Sequence, residues 1–212
     1  MRFKVADDFT VTDLSTSHSV LSLIGARAKD LLENILITPP LPSRESKFSL
    51  VSASMFGIDC RIANTSTAKL SSYEIVVPEV KAEVLLKALL DTSAATNGLA
   101  IRGTPEGYNL IRIISGIPQM GFEITDKTRA PDLPIDSYVS FNKGCYAGQE
   151  VVEMSTARGR PNKRLVLLRG ESASPVTTDI QLYSAPSLGS KEEAGNESKC
   201  GTITSSVLEP ES

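Results

Sequence analysis

Twice in the first hundred residues the apolar period switches from two to nearly four at a single breaker. In "SVLSLIGARAKDLLENIL", residues 19–36, Leu21 and Leu23 alternate, Gly25 interrupts, and Ala28, Leu31, Leu32 and Ile35 follow at helical spacing. A strand that turns into a helix satisfies both periods. Lys29 and Glu33 then stand one turn apart, placed to pair on the wet face. "SSYEIVVPEVKAEVLLKALLDTS", residues 71–93, repeats the pattern. Pro78 suits a first helical turn, and Val80, Val84, Leu85, Ala88 and Leu89 predict one apolar stripe.

Between these two units "ITPPLPSRES" is a proline-rich connector, and "GIDCRIAN" alternates through Ile58, Cys60 and Ile62 as a half-buried strand. Gly98 in "TNGLAI" is a stop. "GTPEGYNLIRIISGIP" starts another helix, with Thr104 as N-cap and Pro105 at the first position; Gly116 and Pro118 end it. "NKRLVLLRG" reads as a strand through Leu165 to Leu168. "SAPSLGSKEEAGNESK", residues 184–199, is Ser/Gly/Glu-rich and reads as a flexible insertion in a hairpin, with "CGTITSSVL" as the returning strand. Strands and helices interleave first and strands alone follow, which gives an α+β core with a β-rich appendage.

The chain has 212 residues, enough for one large domain or two small ones. Its net charge of −3 argues against a broad electrostatic grip on nucleic acid or an anionic membrane. No run is long or apolar enough to cross a bilayer, and the N-terminal stretch has neither a signal-peptide core nor the acid-poor character of a transit peptide. Cys60, Cys145 and Cys200 form no disulfide framework and match no zinc or iron–sulfur spacing, so no metal site is expected. His18 is the single histidine and lies in a polar Ser/Thr stretch, a poor start for a Ser-His or Cys-His pair. The sequons at Asn64 and Asn196 carry little meaning without a secretory signal.

Chemistry concentrates in "NKGCYAGQEVV", residues 142–152. Cys145 lies beside the cation of Lys143, among backbone N–H groups that Gly144 and Gly148 leave open, a setting that favours thiolate over thiol. Gln149 donates and accepts hydrogen bonds, and Glu150 is placed to take a proton or to hold Lys143. A bland alternative stands beside this one. The glycines permit a tight turn, Tyr146 packs into the core, and Glu150 starts a strand. Polarity on both sides of the cysteine is more than a buried thiol needs.

Lys143-Gly144-Cys145-Tyr146-x-Gly148-Gln149-Glu150 resembles the signature K-G-C-[aromatic]-x-G-Q-E of the YgfZ-type folate-binding proteins, and all seven specified positions match. Flanking blocks resemble the same family: "RIISGIPQMGFEIT" its R-I-x-x-G-x-P, "VSFN" the stretch before the signature, "ARGRPNKRLVLL" its R-G-x-x-x-K-R-L, and "GTITSS" its G-x-x-T-S. The wider superfamily includes the glycine-cleavage T-protein, an aminomethyltransferase that uses tetrahydrofolate. "LSLIGARAKDLLENIL" and "SSYEIVVP" resemble blocks of that protein, so the resemblance runs from about residue 11 to about residue 206.

The resemblance implies a fold: an α+β, partial T-protein-like folate-binding core over residues 1–150, then a truncated C-terminal β-barrel over 151–212. It implies tetrahydrofolate as cofactor, folate and iron–sulfur proteins or assembly factors as partners, no nucleic acid, no membrane, a monomer, and a mitochondrial or plastid matrix or cytoplasmic location. The function implied is support of iron–sulfur enzyme assembly or repair. The alternatives are a folate-dependent aminomethyltransferase or a non-catalytic remnant; no reaction is implied. Lys143, Cys145, Tyr146, Gly148, Gln149 and Glu150 are the working residues that the signature carries over, and Glu74 is the pterin contact that the T-protein branch carries over. A carboxylate there accepts the paired N–H donors of an amino-pyrimidine edge. Tyr108 stands where T-proteins have a folate-contacting arginine, and Met154 where many signatures are followed by one. The first block of the chain corresponds to the middle of a T-protein-like chain, so a partial channel is expected.

Overall fold

A computed structural model describes residues 10–36, 39–42, 49–67, 70–96, 98, 100–134, 138–140, 143–157, 163–171, 176–183 and 199–208. They fall into two compact units, 1–102 and 103–212.

The first unit is a four-stranded antiparallel sheet with two helices. Its strands are β1 (His18–Ile24), β2 (Leu50–Met55), β3 (Ile58–Asn64) and β4 (Ser72–Pro78), in the order β1-β4-β3-β2. The helices are α1 (Ala28–Ile35) and α2 (Ala82–Ala95). Gly25, with φ 146°, makes the predicted break between β1 and α1, and its N–H donates to the Ser71 carbonyl at 3.0 Å. Lys29 and Glu33 pair at 3.4 Å. Alternation in β3 buries Ile58, Cys60 and Ile62, as their period requires. These residues join Tyr73, Ile75 and Val77 of β4, Leu32 of α1 and Leu85 of α2 in one core.

Strand β2 carries no strong sequence signal, being built of Ser, Ala, Val, Leu and Met. The Phe56-Gly57 turn, with φ 52° and 75°, folds it onto β3. Two positive φ values are the primed-turn geometry that matches strand twist, although Phe at the first position hides it from a sequence reading. The expected stripe of α2 is shifted. Residues 79–81 form a 3₁₀ turn, whose three-residue period takes Val80 out of phase with the α-helix that follows. Val80 and Val84 are exposed, Pro78 closes β4, and Ala82, Leu85, Leu89 and Ser93 form the buried face. Gly98 is a stop for a steric reason. Its N–H reaches the Ser93 carbonyl at 2.7 Å, and a Cβ there would meet Ser93 Oγ at 2.3 Å.

The second unit holds α3 (Pro105–Ile114), α4 (Gln149–Ala157) and a small antiparallel hairpin of β5 (Gln181–Tyr183) and β6 (Lys199–Thr202). Thr104 caps α3, its Oγ1 accepting from Gly107 N at 3.1 Å, with Pro105 at the first position. The helix ends as its glycine predicts. Gly116 has φ 70°, its N–H reaches the Ile113 carbonyl, and that of Ile117 reaches back to Arg112.

Three expectations are corrected. Glu150 lies in a helix that opens at Gln149, not at the start of a strand as the bland alternative has it, because Gly148 turns the chain just before. Residues 163–170 form no strand; the Leu165 N–H finds the Asp132 carbonyl at 2.9 Å, and among the described residues no strand runs alongside this apolar stretch. The returning strand stops at Thr202. The 184–199 insertion lies outside the described residues up to 198. No helix among the described residues is long and apolar enough to cross a membrane. Asn64 is fully buried, with Nδ2 donating to the Pro42 carbonyl at 3.2 Å, so its sequon is closed in the folded chain.

Candidate functional site

The signature stretch is organised by Tyr146. Residues 146–149 form a turn closed twice between the same two residues: Gln149 N donates to the Tyr146 carbonyl at 3.2 Å, and Tyr146 N donates to Gln149 Oε1 at 3.3 Å. Gly148, at φ 87°, takes the third turn position, where a side chain is strained. Gln149 Nε2 then donates to Glu153 Oε1, one turn along α4. The tyrosine ring carries the Lys143 ammonium 4.5 Å from its centroid, a cation–π contact. Val152 of α4 is buried, and α4 packs against the 3₁₀ turn at 130–132.

This scaffold fixes the turn and leaves Cys145 exposed. Lys143 and Glu150 are also exposed, and Tyr146 and Gln149 are half-buried. The expected hold of Glu150 on Lys143 is replaced by the ring contact. Cys60 contrasts with Cys145. Burial pushes its thiol up, Asp59 beside it adds to the shift, and its Sγ lies 3.5 Å from the Ala53 carbonyl. It is a core thiol, as its strand period implies.

A second cluster in this unit comes from the flanking blocks, and the sequence reading assigned it no role. Arg112, 1% exposed, donates to Glu123 Oε2 at 3.0 Å, Asn109 Oδ1 at 2.8 Å and Ser205 Oγ at 3.1 Å, with its guanidinium 5.1 Å from the Phe122 ring centroid. Glu123 also accepts from Gln119 N at 3.0 Å, Thr204 Oγ1 at 3.2 Å and Ser205 Oγ. Burial pushes the Glu123 carboxyl up. The Ser205 hydroxyl, the Gln119 N–H and the Arg112 guanidinium outweigh it and hold the group below the usual carboxylate range. The available signal was a lone arginine in the apolar run "LIRII". This node ties three segments around a buried guanidinium whose donors go to protein acceptors, so its part is structural.

Glu74 belongs to the first unit, on β4, with its side chain exposed and opposite Ser22 and Ala63. Tyr108 and Met154 are exposed. Among the described residues no three His, Cys, Asp or Glu side chains come together as a metal site.

No protein-family profile matches the chain. Curated relatives do. Over 105 residues it is 33% identical to the Iron-sulfur cluster assembly factor IBA57 homolog, mitochondrial, of Neurospora crassa, covering 47% of this chain and 23% of that protein. It is 26% identical over 206 residues to an aminomethyltransferase of Chlorobium chlorochromatii, covering 95% of this chain and 52% of that protein. An aminomethyltransferase of Acidobacterium capsulatum is 23% identical over 167 residues, 74% of this chain and 41% of the relative. These relatives are an iron–sulfur assembly factor and aminomethyltransferases, and the chain is similar to both. The chain spans about half the length of those relatives or less. Its α+β architecture, with a four-stranded antiparallel sheet, is compatible with part of a T-protein-like fold.

Proposed function

We propose that this chain is a tetrahydrofolate-binding protein of the YgfZ type that supports assembly or repair of iron–sulfur enzymes in the mitochondrial matrix, with Cys145 as its working group. The observation that carries this is the exposed thiol on a turn whose other signature residues brace one another. Similarity to a mitochondrial iron–sulfur assembly factor supports the role, and similarity to aminomethyltransferases supports the folate.

In this reading the matched regions divide as a folate-binding core over 1–150 and a barrel segment over 151–212. Lys143, Tyr146, Gly148 and Gln149 hold the turn, and Glu150 starts the helix behind it. The chemistry of Glu74 fits a pterin. Its carboxylate is exposed on a sheet face and makes no salt bridge among the described residues, so two acceptor oxygens remain for paired N–H donors. Bound tetrahydrofolate supplies a carrier of one-carbon units.

The test is rescue of cells that lack their own family member. Cys145→Ser is expected to abolish rescue and Cys60→Ser to preserve it at equal protein levels. Equal behaviour of the two variants removes Cys145 from the centre of the function.

A further inference from the structure

One side chain of α4 holds the signature turn from behind. Glu153 lies beyond Glu150, the last residue of the signature, and its Oε1 accepts from Gln149 Nε2 across one turn of the helix. Gln149 Oε1 in turn accepts from Tyr146 N at 3.3 Å. Tyr146 N belongs to the planar peptide that begins at the Cys145 carbonyl. A bond to its N–H therefore fixes the orientation of the peptide directly after Cys145. The same tyrosine carries the Lys143 ammonium on its ring. The thiol, the ring and the amine thus meet in one peptide unit, and the chain of bonds that holds this unit ends at Glu153.

We propose that Glu153 is a positioning residue for the Cys145 turn: it sets the rotation of the Gln149 amide so that its oxygen, not its nitrogen, faces the Tyr146 N–H. The assignment rests on the reading of Cys145 as the working group and adds a residue behind it.

An amide side chain has two ends of nearly equal shape and opposite polarity: the oxygen accepts and the nitrogen donates. Turned about, Gln149 would bring a donor to the Tyr146 donor, and the second closure of the turn would be lost. An ionised carboxylate only accepts, so Glu153 takes the nitrogen and leaves the oxygen for Tyr146. Glu150 is not placed for this part, because residues adjacent in sequence do not share a helix face, whereas residues four apart do. The helix is a firm support: Val152 is buried, and α4 packs on the 3₁₀ turn at 130–132. Glu153 itself is exposed, so its bond competes with water and is weak on its own. Its effect lies in direction, since a small preference decides between two rotations of otherwise similar energy.

Hydrogen exchange at the Tyr146 N–H, followed by NMR on the full chain, reads the rotation directly. Glu153→Lys puts a donor where the acceptor stood and is expected to speed that exchange about fivefold. Gln149→Ala is expected to do the same. Glu153→Lys in the Gln149→Ala background should then add nothing, because no amide is left to turn. Glu153→Gln keeps an acceptor of the same length, and only the native rotation satisfies both bonds, so Tyr146 should exchange as in the native chain. In cells that lack their own family member, Glu153→Lys is expected to lower rescue and Glu153→Gln to preserve it, at equal protein levels. Native exchange at Tyr146 in Glu153→Lys overturns the proposal. An effect of the lysine that persists without Gln149 overturns it too, since it then acts through the charge or stability of α4. Full rescue by Glu153→Lys despite fast exchange removes its part in function. If Cys145→Ser rescues, the reading of Cys145 falls, and the exchange comparison still decides whether Glu153 holds the turn.

Discussion

Residues 1–102 bury Leu32, Met55, Ile62, Ile75, Val77 and Leu85 almost completely, whereas in residues 103–212 the most deeply buried described side chain is the guanidinium of Arg112. The first unit is held by apolar area between a sheet and two helices. Such attraction is non-directional and tolerates small shifts of position. The second is held around a charged node that depends on hydrogen bonds to Glu123, Asn109 and Ser205. A node of that kind specifies which segments meet, and it fails sharply when one partner is lost. The signature turn is in the second unit and the sheet face with Glu74 is in the first, so the proposed thiol and the proposed pterin contact rest on supports of different physics.

The contrast is open to direct tests. Glu123→Ala leaves the Arg112 charge buried without its partner, and the expected cost is about 3–5 kcal/mol. Amide hydrogen exchange should show the loss confined to residues 103–212; equal loss of protection in 1–102 would break the distinction between the units. Leu85→Ala removes a fully buried side chain from the apolar core, at an expected cost of about 3 kcal/mol by urea unfolding. Here the exchange pattern should reverse, with protection lost in residues 1–102.

Acid is the mildest probe. The folded-state value of Glu123 is depressed, so its contribution to stability is fully present above the ordinary carboxylate range and is lost as pH falls through the folded value. The ion pairs of the first unit are solvent-exposed and contribute little, so acid should loosen 103–212 first. Exchange at stepwise lower pH reads this directly. Simultaneous loosening of both units would assign the acid response to something other than Glu123.

Local chemistry made much of the fold legible. Gly25 between two periods, Thr104 with Pro105, Gly116 after an apolar helix and Lys29 four before Glu33 each act within one turn of chain, and the structure bears each of them out. Strand β2 was not legible, because small and polar residues form a strand there only when β3 is alongside. Val80 misled because a 3₁₀ turn reset the helical phase, and Val84 because it stands about 100° round α2 from Leu85, off the buried face. Leu165 to Leu168 misled because apolar content makes a strand only where another strand runs alongside, and among the described residues none does. In the signature, the residue types were visible, but the double closure of Gln149 on Tyr146 was not, and neither was the choice of Lys143 for the ring instead of Glu150.

By itself the sequence determined the resemblance to YgfZ-type and T-protein chains, the elements whose signals are local, and the separation of a core thiol at Cys60 from one set among polar residues at Cys145. Tertiary structure decided what depends on distant partners. It joined Arg112 to Ser205 across 93 positions, and it set Glu74 and Arg61 on one face through the register of β3 and β4. The physical reason is range: caps and turns are satisfied within a few residues, while buried charges and sheet faces are satisfied by whatever the fold brings beside them.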